Sequence, residues 1–303
     1  MSRPEAVAVA SALQFPEGPL LLPGGEIAFC EIRRGTLSRI GRDGVVRVVA
    51  DLGGGPNGAA LGPDGQVYVA NNGGFTWSEI NGLTLPFDLA TRSNEPPGFT
   101  GGWIDRVDPA TGAHTVLYRE CDGEPFVGPN DLVFDGHGGF WFTDFGKMRA
   151  RTIDRGHLHY ALADGSHVHK VPFPMHGPNG VGLSPDGRRV YVAESHTGRL
   201  LAWDVVGPGE VAQPQPEIVI ATKSHFDSLA VEEDGHIVVA AISHGLCVIS
   251  PDGAHHEYVD LPDPMTTNVC FGGADRKTAF ATLSGHGRLV ALDWPRPGLA
   301  LAY

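Results

Sequence analysis

Residues 177–194 read GPNGVGLSPDGRRVYVAE, and this stretch decides the fold. Asn179 stands before a short apolar run, Pro185-Asp186-Gly187 forms a tight turn, and a second apolar run, Val190 to Ala193, comes back. Pro, Asp and Gly supply the backbone angles that a hairpin turn requires. The same order recurs in GPNGAALGPDGQVYVAN from Gly55, GPNDLVFDGHGGFWFTD from Gly128, HFDSLAVEEDGHIVVAA from His225 and TTNVCFGGADRKTAFAT from Thr266. FPEGPLLL from Phe15, with Pro23-Gly24-Gly25 as its turn, is a looser copy. The copies place Glu17, Asn57, Asn130, Asn179, Asp227 and Asn268 in one column, roughly 40 to 50 residues apart except between Asn57 and Asn130. A repeat of that length with about four strands is a propeller blade. Six copies predict an all-β, six-bladed β-propeller over residues 1–303, a single domain whose column residues all point at one axis.

Between the copies lie the outer strands. Gly35 to Ile40 with Val45 to Val49, Trp103 to Val107 with His114 to Leu117, His157 to Leu162 with His167 to Val171, and Leu246 to Ser250 with His256 to Val259 read as hairpins. Leu200 to Val205 and Arg288 to Leu292 continue the pattern. These complete four-stranded antiparallel blades. Val7 to Ala12 is a spare strand, expected to pair with the last blade so that one sheet holds both chain ends and no edge is left open. The long interval is filled by a Gly- and Pro-rich insertion, about 73–102, with Trp77, Phe87 and Phe99.

Composition agrees. A chain of 303 residues with 42 Gly, 24 Pro and 42% hydrophobic residues suits many short strands around a large core. Its net charge of −13 argues against nucleic acid as a partner. The N-terminus, with one early Arg3, has no long apolar run before a cleavage site, so neither a signal peptide nor a membrane span is expected and the location is read as cytoplasmic. Cys30, Cys121, Cys247 and Cys270 are widely spaced, without C-x-x-C pairs, and read as separate reduced thiols. Oligomeric state is left open.

Strand direction places the chemistry. The first strand of each blade leaves the column residue for the far face and the second strand returns, so whatever follows the second strand lies on the face of the column. Asp144, His196, His244 and His286 fall there, and the insertion leaves from the same face with Trp77. These five are candidate substrate contacts, and the insertion is read as a lid or pocket wall. A single rim histidine or tryptophan more often packs or meets solvent than binds a ligand.

The column holds two carboxylates and four amide oxygens, with no Cys and no His. These are hard ligands that suit calcium or magnesium and are less typical of zinc. For any one Asn, capping a strand start is the simpler role. Six in register with two acids among them favour a cation, because two buried like charges without one are costly.

FPEGP, GPND followed by GGFWFTDFG, GPNGVGLSPDGRRVYVAE, the Asp of HFDSLAV and TNVCFGG together resemble the senescence marker protein/gluconolactonase/luciferin-regenerating family of six-bladed propellers. Residues 131–146 are most similar to the drug-responsive lactonase branch, and diisopropyl fluorophosphatase is a more distant relative. The resemblance covers nearly the whole chain. It implies one divalent cation on the axis, calcium first with magnesium, manganese or zinc as alternatives, held by Glu17, Asn130, Asn179 and Asp227. Asn57 and Asn268 become near-axis candidates for substrate contact. It further implies hydrolysis of a small-molecule lactone or related ester. Asp227 is then read as general base toward water, since one carboxylate oxygen can face the pocket while the other binds the cation, with direct nucleophilic attack as the alternative. Two departures stand out. Gly128 occupies the place where sugar-lactonase members carry an Arg, which makes gluconolactone a doubtful substrate. Ala230 and Cys270 occupy places where phosphatase-like members hold a second calcium, so that second site is expected to be absent or altered. Phosphotriester hydrolysis on the same cation and a non-catalytic interaction platform are the rival readings.

Overall fold

A computed structural model describes residues 5–303; Arg3 and the other residues before position 5 lie outside it. Six antiparallel sheets follow one another along the chain. The first is Pro16–Leu21, Ile27–Glu31, Thr36–Ile40 and Val46–Asp51. The second is Pro56–Leu61, Val67–Asn71, Trp103–Val107 and His114–Tyr118, with the insertion between its second and third strands. The third is Pro129–Phe134, Gly139–Asp144, His157–Leu162 and Val168–Lys170. In the fourth, Pro178–Leu183, Arg189–Glu194 and Arg199–Gly207 are completed by Glu217–Ala221, an outer strand that sequence reading did not anticipate. His225–Val231, Ile237–Ile242, Gly245–Ile249 and His256–Val259 make the fifth. The sixth joins Thr266–Gly272, Thr278–Leu283 and Arg288–Asp293 to Val7–Ala10 from the other end of the chain. Val7 lies opposite Ala291 and Ala8 opposite Val290, so the expected closure is present.

The pattern of burial explains why these segments form these strands. Ile27–Glu31, Val67–Asn71 and Gly139–Asp144 are buried at every position, because neighbouring blades cover both faces of a second strand. Their sequences, IAFCE, VYVAN and GFWFTD, are accordingly apolar runs rather than alternating ones. Outer strands such as Val46–Asp51 and His114–Tyr118 have one face in water and alternate loosely.

The core is divided among the seams between blades. Leu20, Leu37 and Val107 fill the seam of the first and second, and Tyr68, Phe134 and Phe140 that of the second and third. Trp141, Val192 and Trp203 pack between the third and fourth, and Tyr191, Phe226 and Val239 between the fourth and fifth. Val238, Ala281 and Leu292 lie between the fifth and sixth. Phe29, Ile40 and Leu289 join the sixth to the first, which closes the ring.

The turns follow their residues. At Pro63-Asp64-Gly65, Gly65 takes φ of 72°, and Asp64 accepts a hydrogen bond from the Gln66 N–H at 3.1 Å. In the sixth blade Arg276 takes the same left-handed place, φ 57°, without a glycine.

Candidate active site

Every first strand is irregular at its column residue. The register slips between Glu17 and Leu20, Pro56 and Ala59, Pro129 and Leu132, Pro178 and Val181, Phe226 and Leu229, and Thr266 and Asn268. A bulge bends the strand and re-aims one side chain, so six bulges at one level turn six side chains toward the axis. Small residues make room for this. A Cβ at Gly58 would stand 2.6 Å from the Asn130 carbonyl oxygen, and one at Gly180 would stand 2.6 Å from Cα of Ser228.

The loops that enter these strands are tied down by side chains from the ends of the second strands. Asn71 accepts from Gly55 N–H at 2.8 Å, Asp144 from Gly128 N–H at 2.6 Å and Val127 N–H at 2.9 Å, and Glu194 from His176 N–H at 2.8 Å. Glu31 accepts from Gln14 N–H at 2.8 Å in the same way. Each bond lies two or three residues before a column residue.

Glu17, Asn57, Asn130, Asn179 and Asp227 line a cavity of about 290 Å³. Asn268 turns toward the axis without lining this cavity: its amide donates to Glu17 Oε2 at 2.9 Å, and its Oδ1 accepts from Val269 N–H. Glu17 also accepts from Gly18 N–H at 3.1 Å. Asn179 donates to Ser195 Oγ at 3.2 Å and hydrogen-bonds Asp227. Burial raises the carboxyl of Glu17 well above the ordinary range, and burial together with the nearby Glu17 raises Asp227. Asp131, next to Asn130, is raised to about 7 by burial.

Among the described residues no Lys, Arg or His lines this cavity. Glu17 is buried and Asp227 half-buried; carboxylates drawn out of water without a cationic partner are costly, and Asn130 Oδ1 is a buried acceptor with no hydrogen-bond partner among the described residues. An oxygen-only donor set, two acids and an orphaned amide oxygen fit a hard divalent cation. A second group, Glu232, Asp234 and His236, also reaches ligand spacing, but it belongs to a turn on the opposite face. There Glu232 is already engaged by Trp294 Nε1 at 2.6 Å and by Arg296.

A larger cavity, about 760 Å³, opens at the opposite mouth of the channel among the hairpin turns and residues 299–303. Its walls include Asp131 and Asn268, whereas Glu17, Asn130, Asn179 and Asp227 all face the smaller one. The ligand chemistry therefore belongs to the smaller cavity.

Above the column the walls are apolar. Phe15, Ile32, Phe145, Met148 and Met265 come from the rim, and Phe75, Pro86 and Phe87 from the insertion. Phe15 takes φ of 58°, an uncommon conformation for a bulky residue, and packs on Trp77 with ring centroids 5.2 Å apart. The insertion carries a small hairpin, Ser78–Ile80 with Leu83–Leu85, and lies across several blades. Leu83 abuts Gly285 of the sixth blade, Glu79 pairs with Arg33 of the first, and Asn94 Oδ1 accepts from Met148 N–H at 2.8 Å in the third. Lys147, 1% exposed, donates to the carbonyls of Asn72 at 2.8 Å and Gly74 at 2.7 Å. Its ammonium also stands 4.3 Å from the Phe75 ring centre and 4.8 Å from that of Phe99. Lys147 thus clasps the root of the insertion, and burial pushes its pKa down to about 7.

Comparison with known proteins adds a family. The model for the SMP-30/Gluconolactonase/LRE-like region matches residues 15–285. The chain belongs to this family. A gluconolactonase of Zymomonas mobilis is 24% identical over 298 residues, covering 87% of this chain and 75% of that protein. The structure of a gluconolactonase from Xanthomonas campestris superposes with a TM-score of 0.76 at 19% identity, covering 96% of this chain and 90% of that one. Regucalcin from Agrobacterium tumefaciens, a calcium-binding protein, superposes with a TM-score of 0.72 at 20% identity over 98% of both chains. The structural likenesses carry the fold.

In this SMP-30/gluconolactonase-family chain the remaining candidates fall outside the cavity. Asp144 spends its oxygens on backbone N–H groups. His196 is half-buried against Phe145, 5.2 Å between ring centres, with Nε2 buried and unpartnered. His244 and His286 are exposed; His244 Nδ1 lies 3.0 Å from the Ile242 carbonyl and His286 Nδ1 2.9 Å from Asp263. Trp77 stands behind Phe15 and Phe75 rather than in the wall. Ile32, Phe145, Met148 and Met265 are not among the residues the sequence singles out, although Phe145 and Met148 follow closely on Asp144, which is. Attention to polar side chains hid the apolar ones. Among the described residues all four cysteines are free, and no helix is long and apolar enough to cross a membrane.

Proposed function

We propose that this protein hydrolyses a small-molecule lactone, with one divalent cation, calcium first, held by Glu17, Asn130, Asn179 and Asp227. The observation that carries the reading is a floor of two carboxylates with no cationic partner lining the cavity beside them and an Asn130 amide oxygen with no hydrogen-bond partner, in a chain whose family includes gluconolactonases. When bound, such a cation supplies Lewis-acid polarisation of an ester carbonyl.

The chain's own residues supply the rest. Asp227 accepts a proton from water as the water oxygen bonds to the carbonyl carbon. The ring C–O bond then breaks, and the proton passes from Asp227 to the departing alkoxide, giving the hydroxy acid. Asn57, also facing the cavity, has an amide N–H to offer a substrate oxygen. Glu17 serves in coordination and is held by Asn268 and the Gly18 N–H. The aromatic walls exclude bulk water, which strengthens every polar interaction at the floor.

Asp227→Asn keeps the shape of the side chain and removes the base. Its lactone turnover, followed by pH-stat, is expected to fall by about 100-fold or more with the fold intact by circular dichroism. Near-normal turnover removes Asp227 from the mechanism.

A further inference from the structure

Resting on the lactone-hydrolase reading, we infer that the substrate carries an apolar alkyl or aryl substituent on its lactone ring and few or no free hydroxyls. The relatives named gluconolactonase point to a sugar lactone, but the walls of this cavity do not. Above the floor stand Phe15, Phe75, Phe87, Phe145, Met148 and Met265, and among the described residues the lining contains no Lys, Arg, His, Ser, Thr or Tyr. One polar wall residue, Asn94, has its Oδ1 committed to the Met148 N–H at 2.8 Å.

A polyhydroxylated ring placed here would lose water at the hydroxyls that face the apolar walls, where only the floor groups and the Asn94 amide N–H could take its place, which disfavours its binding. An alkyl or aryl group instead meets ring faces and thioethers, the latter adaptable in shape. The cavity of about 290 Å³ also limits the ligand to a ring with a short substituent. Its floor still provides polar groups for the carbonyl, so a ligand with one polar end and one apolar end matches the site.

The test uses two lactones with the same six-membered ring, δ-decalactone and glucono-δ-lactone, assayed by pH-stat with spontaneous hydrolysis subtracted. The kcat/KM for δ-decalactone is expected to be higher by about 100-fold or more. A ratio near one, or one favouring the gluconolactone, overturns the inference. Calorimetric binding of the two corresponding lactams separates this inference from the hydrolase reading. Binding of the pentyl lactam alone, without turnover of either lactone, sinks the hydrolase reading and keeps the apolar ligand. Failure of both lactams to bind, or tighter binding of the polyhydroxylated one, overturns the inference. Phe87→Ser, on the partly exposed insertion, is expected to lower the δ-decalactone preference about tenfold; an unchanged preference argues against an apolar subsite at this wall.

Discussion

Asp144 illustrates how a side chain serves the column without joining it. Its carboxylate is fully covered and accepts from Val127, Gly128 and Gly146 N–H groups, two of which belong to the segment that delivers Asn130. Burial raises its pKa, and those N–H groups pull the other way. Asp144→Ala leaves buried donors unpaired and should destabilise the fold by about 2 to 3 kcal/mol. Urea unfolding measures this; a loss under about 0.5 kcal/mol would mean water replaces the carboxylate and the loop needs no such tie. From sequence, the residue type and face of Asp144 were legible, and its placement on the column's side of the ring was correct. Its direction was not, because whether a rim carboxylate turns inward to backbone or outward to substrate depends on loop geometry that no spacing encodes.

At the scale of elements, the inner hairpins were the most legible part, since each carries its own turn chemistry and two apolar runs. The outer strand Glu217–Ala221 was not, because a Pro- and Gln-rich loop precedes it and its pairing with Arg199–Gly207 is set by tertiary context. The bulges were equally hidden: glycines after Glu17, Asn57 and Asn179 mark them, but the sequence does not say that the neighbouring strand comes too close for a Cβ. On the third strand of the third blade, His159 is buried between Phe142, 4.8 Å away and stacked, and Phe126 at 5.4 Å, with Nδ1 unpartnered. Burial first, then the charges of His157 and Lys170, push its pKa from 6.5 down to about 3. Below pH 6.5 the unfolded chain binds a proton here and the folded chain does not until about pH 3, so stability present above pH 6.5 is lost as pH falls through that window. His159→Phe should therefore lose about 2 kcal/mol less than the wild type between pH 7 and pH 5. Equal losses in paired urea titrations would mean that His159 is charged inside the fold.

Over the whole molecule, the ring does what no single blade does alone. Six apolar seams and the pairing of Val7–Ala10 with Arg288–Asp293 fix the blades around an axis, and that axis brings together residues as far apart in sequence as Glu17 and Asn268. The insertion, braced on the first, third and sixth blades, adds Phe75, Pro86 and Phe87 as one wall of the half-open cavity at the column. The architecture and the members of the column were legible because repetition marks them; the apolar cavity walls were not, because they come from loops that differ from blade to blade. The oxygen set at the axis carries the proposed cation site. Calorimetric titration of calcium into chelator-stripped protein, run beside Asn130→Ala and with lactone turnover measured at each addition, tests it directly. The site predicts one cation per chain, turnover that rises with occupancy, and at least about tenfold weaker binding in the variant. Lactone turnover that is full in the stripped protein and unmoved by calcium, magnesium, manganese or zinc would contradict it.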